Sequence, residues 1–220
     1  MAMPSDPYPS PAPTVRFDVI NQAFALFQQQ MGQWVVIALV FVVVVGVASF
    51  LLNLVPVVGL LSGIPGMILA GGIYKAALKH VRGEAIAVAD LFDIGDIVGP
   101  LIVAGILVNI GNSIGMLLCV LPGIVVAGLW MFTTPLIVDR GMDGVAAMRE
   151  SWNVLKGQWA MAAVFIFVVG IVGVIGVLGC GVGVLFTMPI AFLSSALLYR
   201  DFFPEGAAPV DPFAPPSSPL

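Results

Sequence analysis

Charge is what this chain has least of. Only 20 of its 220 residues are Asp, Glu, Lys or Arg, about 9%, where soluble domains carry about a quarter. So few charges cannot hydrate the surface of a soluble domain, and a disordered chain would need far more of them. With only two cysteines a disulfide scaffold is excluded, and the 25 glycines follow no Gly-X-Y period that would make collagen. There is one histidine and no basic block, so nucleic acid is not an expected partner.

What fills the chain instead is apolar, at 60% of residues. Three stretches carry no charge at all: Val19 to Tyr74, Ile97 to Val138 and Gly157 to Tyr199. One crossing of the hydrocarbon takes about 20 apolar residues, so each stretch has the length of two crossings and a turn. The middle of each holds helix breakers: Pro56 with Gly59, Pro122-Gly123, and Gly179-Cys180-Gly181-Val182-Gly183. The expected fold is an all-α polytopic membrane protein with six transmembrane helices arranged as three hairpins. The spans are Trp34–Leu54, Val57–Ala77, Ile97–Val120, Leu121–Val138, Trp159–Leu178 and Val182–Leu198. Continuous apolar runs favour helices over a lipid-facing barrel, whose strands alternate.

All eight basic residues (Arg16, Lys75, Lys79, Arg82, Arg140, Arg149, Lys156 and Arg200) fall on one side of this topology. Such an excess marks the cytoplasmic side, so both termini are expected inside. The first 33 residues lack a basic segment followed by an apolar core, so no cleaved signal peptide is expected. Residues 1–14 and 203–220 hold five and six prolines and read as flexible tails around a membrane domain at 15–202.

Within that domain the motif Gly32-Gln33-Trp34 recurs as Gly157-Gln158-Trp159, and Tyr74-Lys75 as Tyr199-Arg200, at one offset. Repeat units of about 15–80, 86–139 and 141–200 follow, the middle one degenerate. An amphipathic interfacial helix is expected before each hairpin. Its apolar face is Ile20, Phe24, Phe27 and Met31 in the first unit, and Val145, Met148, Trp152 and Leu155 in the last. Asn21, Gln28, Arg149, Glu150 and Asn153 fall on the opposite faces.

Chemistry is hard to find. Gly111-Asn112-Ser113-Ile114-Gly115 matches the G-x-S-x-G nucleophile pattern, but it lies inside a span. The sole histidine, His80, sits at the inner flank, about 24 Å shallower at 1.5 Å per residue. Apart from Lys75 at the inner end of Val57–Ala77, no Asp, Glu, Lys, Arg or His lies within a span, which removes the usual material of an ion-coupled cycle. No catalytic, cofactor-binding or metal-binding residue is therefore expected. Most of the polar atoms at depth belong to Asn109, Asn112, Ser113, Thr133, Thr134 and Thr187, either interhelical contacts or the lining of a pore or binding pocket. Lys75, Lys79 and Arg82 share a helical side below the second span and are candidate contacts for lipid headgroups. Asp90, Asp93 and Asp96 read as a solvated face. Gly170, Gly173, Gly176 and Gly179 form a small-residue row expected to pack against neighbouring helices, and Pro65, Pro135 and Pro189 are expected to interrupt the second helix of each hairpin. Cys119 and Cys180 fall at outer turns and could pair if that side is oxidising.

The stretch Pro135-Leu-Ile-Val-Asp139, Gly144-Val-Ala-Ala147, Ser151-Trp152 and Leu155-Lys156-Gly157 resembles a signature of bacterial six-helix integral membrane proteins without assigned activity. It is also similar to the membrane region of glycerophosphodiester phosphodiesterases. The resemblance implies paired amphipathic helices and hairpins, cytoplasmic termini and a bacterial inner (plasma) membrane. It implies no catalysis, which in those phosphodiesterases belongs to a separate soluble barrel. The resulting expectation is a non-catalytic structural or accessory subunit that meets lipid and a protein partner or further copies of itself. The alternative is an oligomeric channel or facilitator for a small solute.

Overall fold

The computed structural model describes residues 13–54, 63–118, 120–178 and 182–204. These are helical almost throughout: α1 Asp18–Gln29, α2 Met31–Asn53, α3 Ile64–Val81, α4 Val98–Leu118, α5 Val120–Leu129, α6 Thr133–Arg140, α7 Gly144–Leu155, α8 Trp159–Leu178 and α9 Val184–Phe202. Short 3-10 turns at Val88–Leu91, Gly95–Ile97 and Lys156–Gln158 link them. α2 packs on α3, α4 on α5 and α8 on α9, while α9 also contacts α1, α2 and α3.

Five helical segments are long and apolar enough to cross a membrane: Met31–Asn53, Val88–Gly115, Leu121–Arg140, Gly144–Val177 and Val184–Phe202. Two of them include lead-in turns or the amphipathic α7. The expected second span, Val57–Ala77, is represented by α3, whose last turns carry Lys75, Lys79 and His80 and so dilute its apolar character. Val57 to Ser62 lie outside the described residues, as do Pro56, Cys119, Gly179, Cys180 and Gly181.

Two boundaries differ from expectation. Leu121-Pro122-Gly123, expected as a turn, lie in the first turn of α5, which starts at Val120. A β-carbon on Gly115 would stand 2.8 Å from the Gly123 α-carbon, so these helices meet backbone to backbone. The expected helix Leu121–Val138 breaks at Trp130–Phe132, where buried Ser151 Oγ donates to the Leu129 carbonyl at 2.7 Å and accepts from the Phe132 amide at 3.2 Å. That hydroxyl satisfies backbone groups which a helix break would otherwise leave unpaired in an apolar interior. The prolines also divide: Pro65 and Pro135 sit in first turns, where a missing amide costs nothing, and only Pro189 lies inside a helix.

The buried core is concentrated toward one end. In α2 only Trp34, Ile37 and Ala38 are buried, whereas Val43, Val47, Phe50 and Leu51 beyond them are exposed. In α3 and α9 burial falls in the C-terminal halves. Phe132 anchors this end, with its ring 5.9 Å from Tyr199, 5.4 Å from Phe202 and 5.9 Å from Phe203. Phe203, read from sequence as the start of a tail, thus packs into the core, and Pro13 is held by Gln158.

The amphipathic helices bury the expected stripes only in part. α1 buries Phe27 as expected, with Val19 and Ala23, and leaves Phe24 exposed, as is Met31 at the start of α2. α7 buries Leu155 as expected, with Gly144, Ala147, Ser151 and Glu150, while Val145 and Trp152 face outward. The reason is size: Gly144 lets α7 approach α4 until a β-carbon would lie 2.7 Å from the Pro100 carbonyl oxygen.

Candidate functional site

The basic residues gather at the buried end, and most are engaged within the chain. Arg16 pairs with Asp201 at 2.7 Å and with Asp18 at 3.2 Å. Lys75 reaches Asp93 at 2.6 Å, Lys79 reaches Asp90 at 2.8 Å, and Arg82 pairs with Asp139. Tyr199 Oη donates to the second Asp139 oxygen at 2.9 Å. Arg140 lies over the Phe203 ring at 4.8 Å, and Arg200 donates to the Val81 carbonyl. These contacts join the start of α1, the 88–91 turn and the C-terminal ends of α3, α6 and α9. Gly83 and Gly141, at φ 83° and 61°, turn the chain out of α3 and α6 where L side chains would be strained.

Lys75, Lys79 and Arg82 do lie together, lining a cavity of about 290 Å³ with Glu84 and Asp139. Each already has a carboxylate, and the Asp90 partner holds the Lys79 ammonium above its ordinary pKa. Asp90 is accordingly no part of a solvated face: it is buried, and its other oxygen accepts from the Ala87 amide at 2.8 Å. Asp93 and Asp96 are exposed. Among the described residues no group of His, Cys, Asp and Glu is placed to hold a metal ion.

His80 is buried and accepts the Trp34 indole N–H on Nδ1 at 2.9 Å. Burial pushes its pKa below the ordinary 6.5, so the ring is held neutral. Its Nε2 has no partner. Sequence spacing separates Trp34 and His80 by 46 positions and held no sign of this pair.

The deep polar residues are not brought into one lumen. Asn109 donates to the Gly105 carbonyl on its own helix at 2.8 Å and approaches Met67 Sδ at 3.1 Å. Thr187 likewise returns to Gly183 at 3.1 Å. Among the described residues, buried Thr133 Oγ1 and Asn112 Oδ1 have no hydrogen-bond partner, and Thr134 is half-buried. Asn109 and Ser113 are exposed on the α4 face that also presents Ile106, Ile110 and Ile114. The glycine row on α8 is split too: Gly176 seats against Gly183 and Thr187, whereas a β-carbon on Gly170 or Gly173 would meet none of the described residues within 4 Å.

Fold and charge placement define the class: a helical membrane protein with five candidate spans. The chain is similar to the uncharacterized protein Rv2560 of Mycobacterium tuberculosis, at 27% identity over 129 residues. That match covers 59% of this chain and 39% of the relative, so the chain spans well under half of the relative's length. Candidate spans and a mycobacterial relative point to a bacterial membrane. No protein-family profile matches the chain, and no solved structure does.

Proposed function

We propose that the protein is a non-catalytic integral membrane protein that acts as an accessory subunit, packing through its outward helix faces against a larger membrane complex. One observation carries this reading: Asn109 and Ser113 point outward from α4 among exposed isoleucines. Polar side chains facing hydrocarbon are best satisfied by another helix, at about 0.6 kcal/mol per contact. Gly170 and Gly173, open on α8, offer a second surface where a foreign backbone can approach closely.

In the membrane the chain forms six spans as three hairpins, the sixth supplied by the part of α3 up to Ala77. The charged end lies in the cytoplasm with both termini. A single cysteine beside Pro122, in a Cys-free chain, is expected to react with an impermeant reagent added outside, and one beside Arg149 is not. The opposite pattern would reverse the orientation.

The test of the function is the native mass of the protein taken in nanodiscs from its own membrane. A protein partner at fixed ratio, lost in the Asn109→Leu, Ser113→Ala double variant, is expected. A channel is the alternative reading, and the same α4 face favours it, since a pore would have to lie between copies. A closed homo-oligomer with solute flux abolished by Asn112→Leu would replace the accessory reading with that one.

A further inference from the structure

The cations of the charged end are mostly spent on their own carboxylates; Arg149 on α7 and Lys156 just beyond it are not. Arg149 is exposed and makes no ion pair among the described residues. Lys156, at the C-terminal end of α7, is exposed and donates to the neutral Asn153 side-chain carbonyl at 3.3 Å, with no ion pair among the described residues. Beside Arg149 lies a groove of about 400 Å³ whose walls are Leu107, Trp130, Val145, Met148 and Trp152, with Arg149 and Asn153 as its polar members.

Arg149 and Asn153 are the polar members of an otherwise apolar lining, and both stand on α7, the helix leading from the charged end. Leu107 stands nine residues into α4, about 13.5 Å from the start of that helix at 1.5 Å per residue, a depth suited to the upper part of an acyl chain. Two indoles flank the passage, the side chain best suited to the boundary between water and hydrocarbon. A soluble anion would leave the apolar length of the groove in contact with water, and an uncharged lipid would leave the guanidinium uncompensated.

We infer that this groove is a binding site for an anionic phospholipid, with the phosphate on Arg149, Lys156 near the headgroup and an acyl chain against Trp130 and Leu107. The site takes over the role that sequence alone gives to Lys75, Lys79 and Arg82. It rests on the reading of the chain as a membrane protein with its charged end at a lipid surface, but not on the existence of a protein partner.

The experiment is native mass spectrometry of the full chain in nanodiscs holding equal phosphatidylglycerol and phosphatidylcholine. The wild type is expected to retain phosphatidylglycerol preferentially, by about five-fold for each cation engaged. Arg149→Gln is expected to cut the preference about five-fold, the Arg149→Gln, Lys156→Gln double variant to bring retention close to parity, and Lys75→Gln, at an ion-paired position, to leave it unchanged. Leu107→Trp, which fills the groove, should remove one retained lipid whatever its headgroup. Helicity by circular dichroism identifies any variant that fails to fold, and Met148→Trp then provides a second filling substitution. Equal retention of the two lipids by the wild type overturns the proposal, as does a preference that Arg149→Gln leaves undiminished. Displacement of a protein by Leu107→Trp, with lipid retention unaltered, also overturns it. A chain without protein partners that still selects phosphatidylglycerol would instead sink the accessory reading and leave this one standing.

Discussion

The two Gly-Gln-Trp motifs have the same three residues and opposite fates. Trp34 is fully buried and bonded to His80, while Trp159 is 53% exposed on α8. Gln158 clamps the N-terminal segment, accepting from the Val15 amide at 2.9 Å and donating to the Pro13 carbonyl at 2.8 Å, whereas Gln33 lies in an open surface depression. The helices that precede them diverge in the same way. α1 buries Val19, Ala23 and Phe27; at the repeat offset, the buried stripe of α7 is displaced by one residue after its first turn, about 100° of helix. A sequence repeat therefore preserves where a turn falls without preserving which face is buried. The first copy has become the core of the charged end, and the second leaves Val145, Trp152 and Trp159 free.

Replacing the two tryptophans should expose that difference most sharply. Trp34→Ala removes a fully buried indole and the His80 donor, and is expected to cost about 3–5 kcal/mol in detergent unfolding. An effect under about 1 kcal/mol would mean that the core does not sit at this end. Ser151→Ala strips the hydroxyl that bridges Leu129 and Phe132, and should cost about 1–3 kcal/mol, read as a lowered Tm.

Acidification should act on the first copy alone. His80 is held neutral by burial, so its contribution is full above its ordinary 6.5 and is lost as pH falls through its depressed folded value. The protonated ring can no longer accept the Trp34 N–H. Tm is expected to fall with pH below about 6.5, and to fall less in His80→Gln. An unchanged slope in that variant would assign the pH dependence elsewhere. Last and smallest, Trp159→Ala should change stability by no more than about 0.5 kcal/mol, because the ring contributes little to the interior.

The apolar helices were legible because their signal is composition and length, which neighbours do not alter. Breaks were legible only approximately. Pro122, expected in a turn, lies in the first turn of α5, and the break at Trp130–Phe132 depends on Ser151, a residue on another helix. The same limit explains the faces. Val145 and Trp152 stand at the same helical spacing as buried Leu155 on α7, but close approach through Gly144 and Ala147 places them outside. The charged end was readable as a cluster of Lys and Arg. That Asp90, Asp93 and Asp139 neutralise three of them depends on tertiary placement, as does the solitary position of Arg149.

The resemblance signature gains a physical meaning from these contacts. Asp139 receives Tyr199 and Arg82, Gly144 admits α4, Ser151 caps a helix break and Leu155 is fully buried. These residues are structural fixtures of one helix pair, α6 and α7.

The central claim is that the outward face of α4 meets another protein within the membrane. A photo-crosslinking residue in place of exposed Ile110, between Asn109 and Ser113, activated in intact cells, tests it most directly. A discrete protein adduct, absent when the crosslinker replaces buried Leu101 on the same helix, is the predicted result. Lipid adducts alone at position 110 would contradict the account.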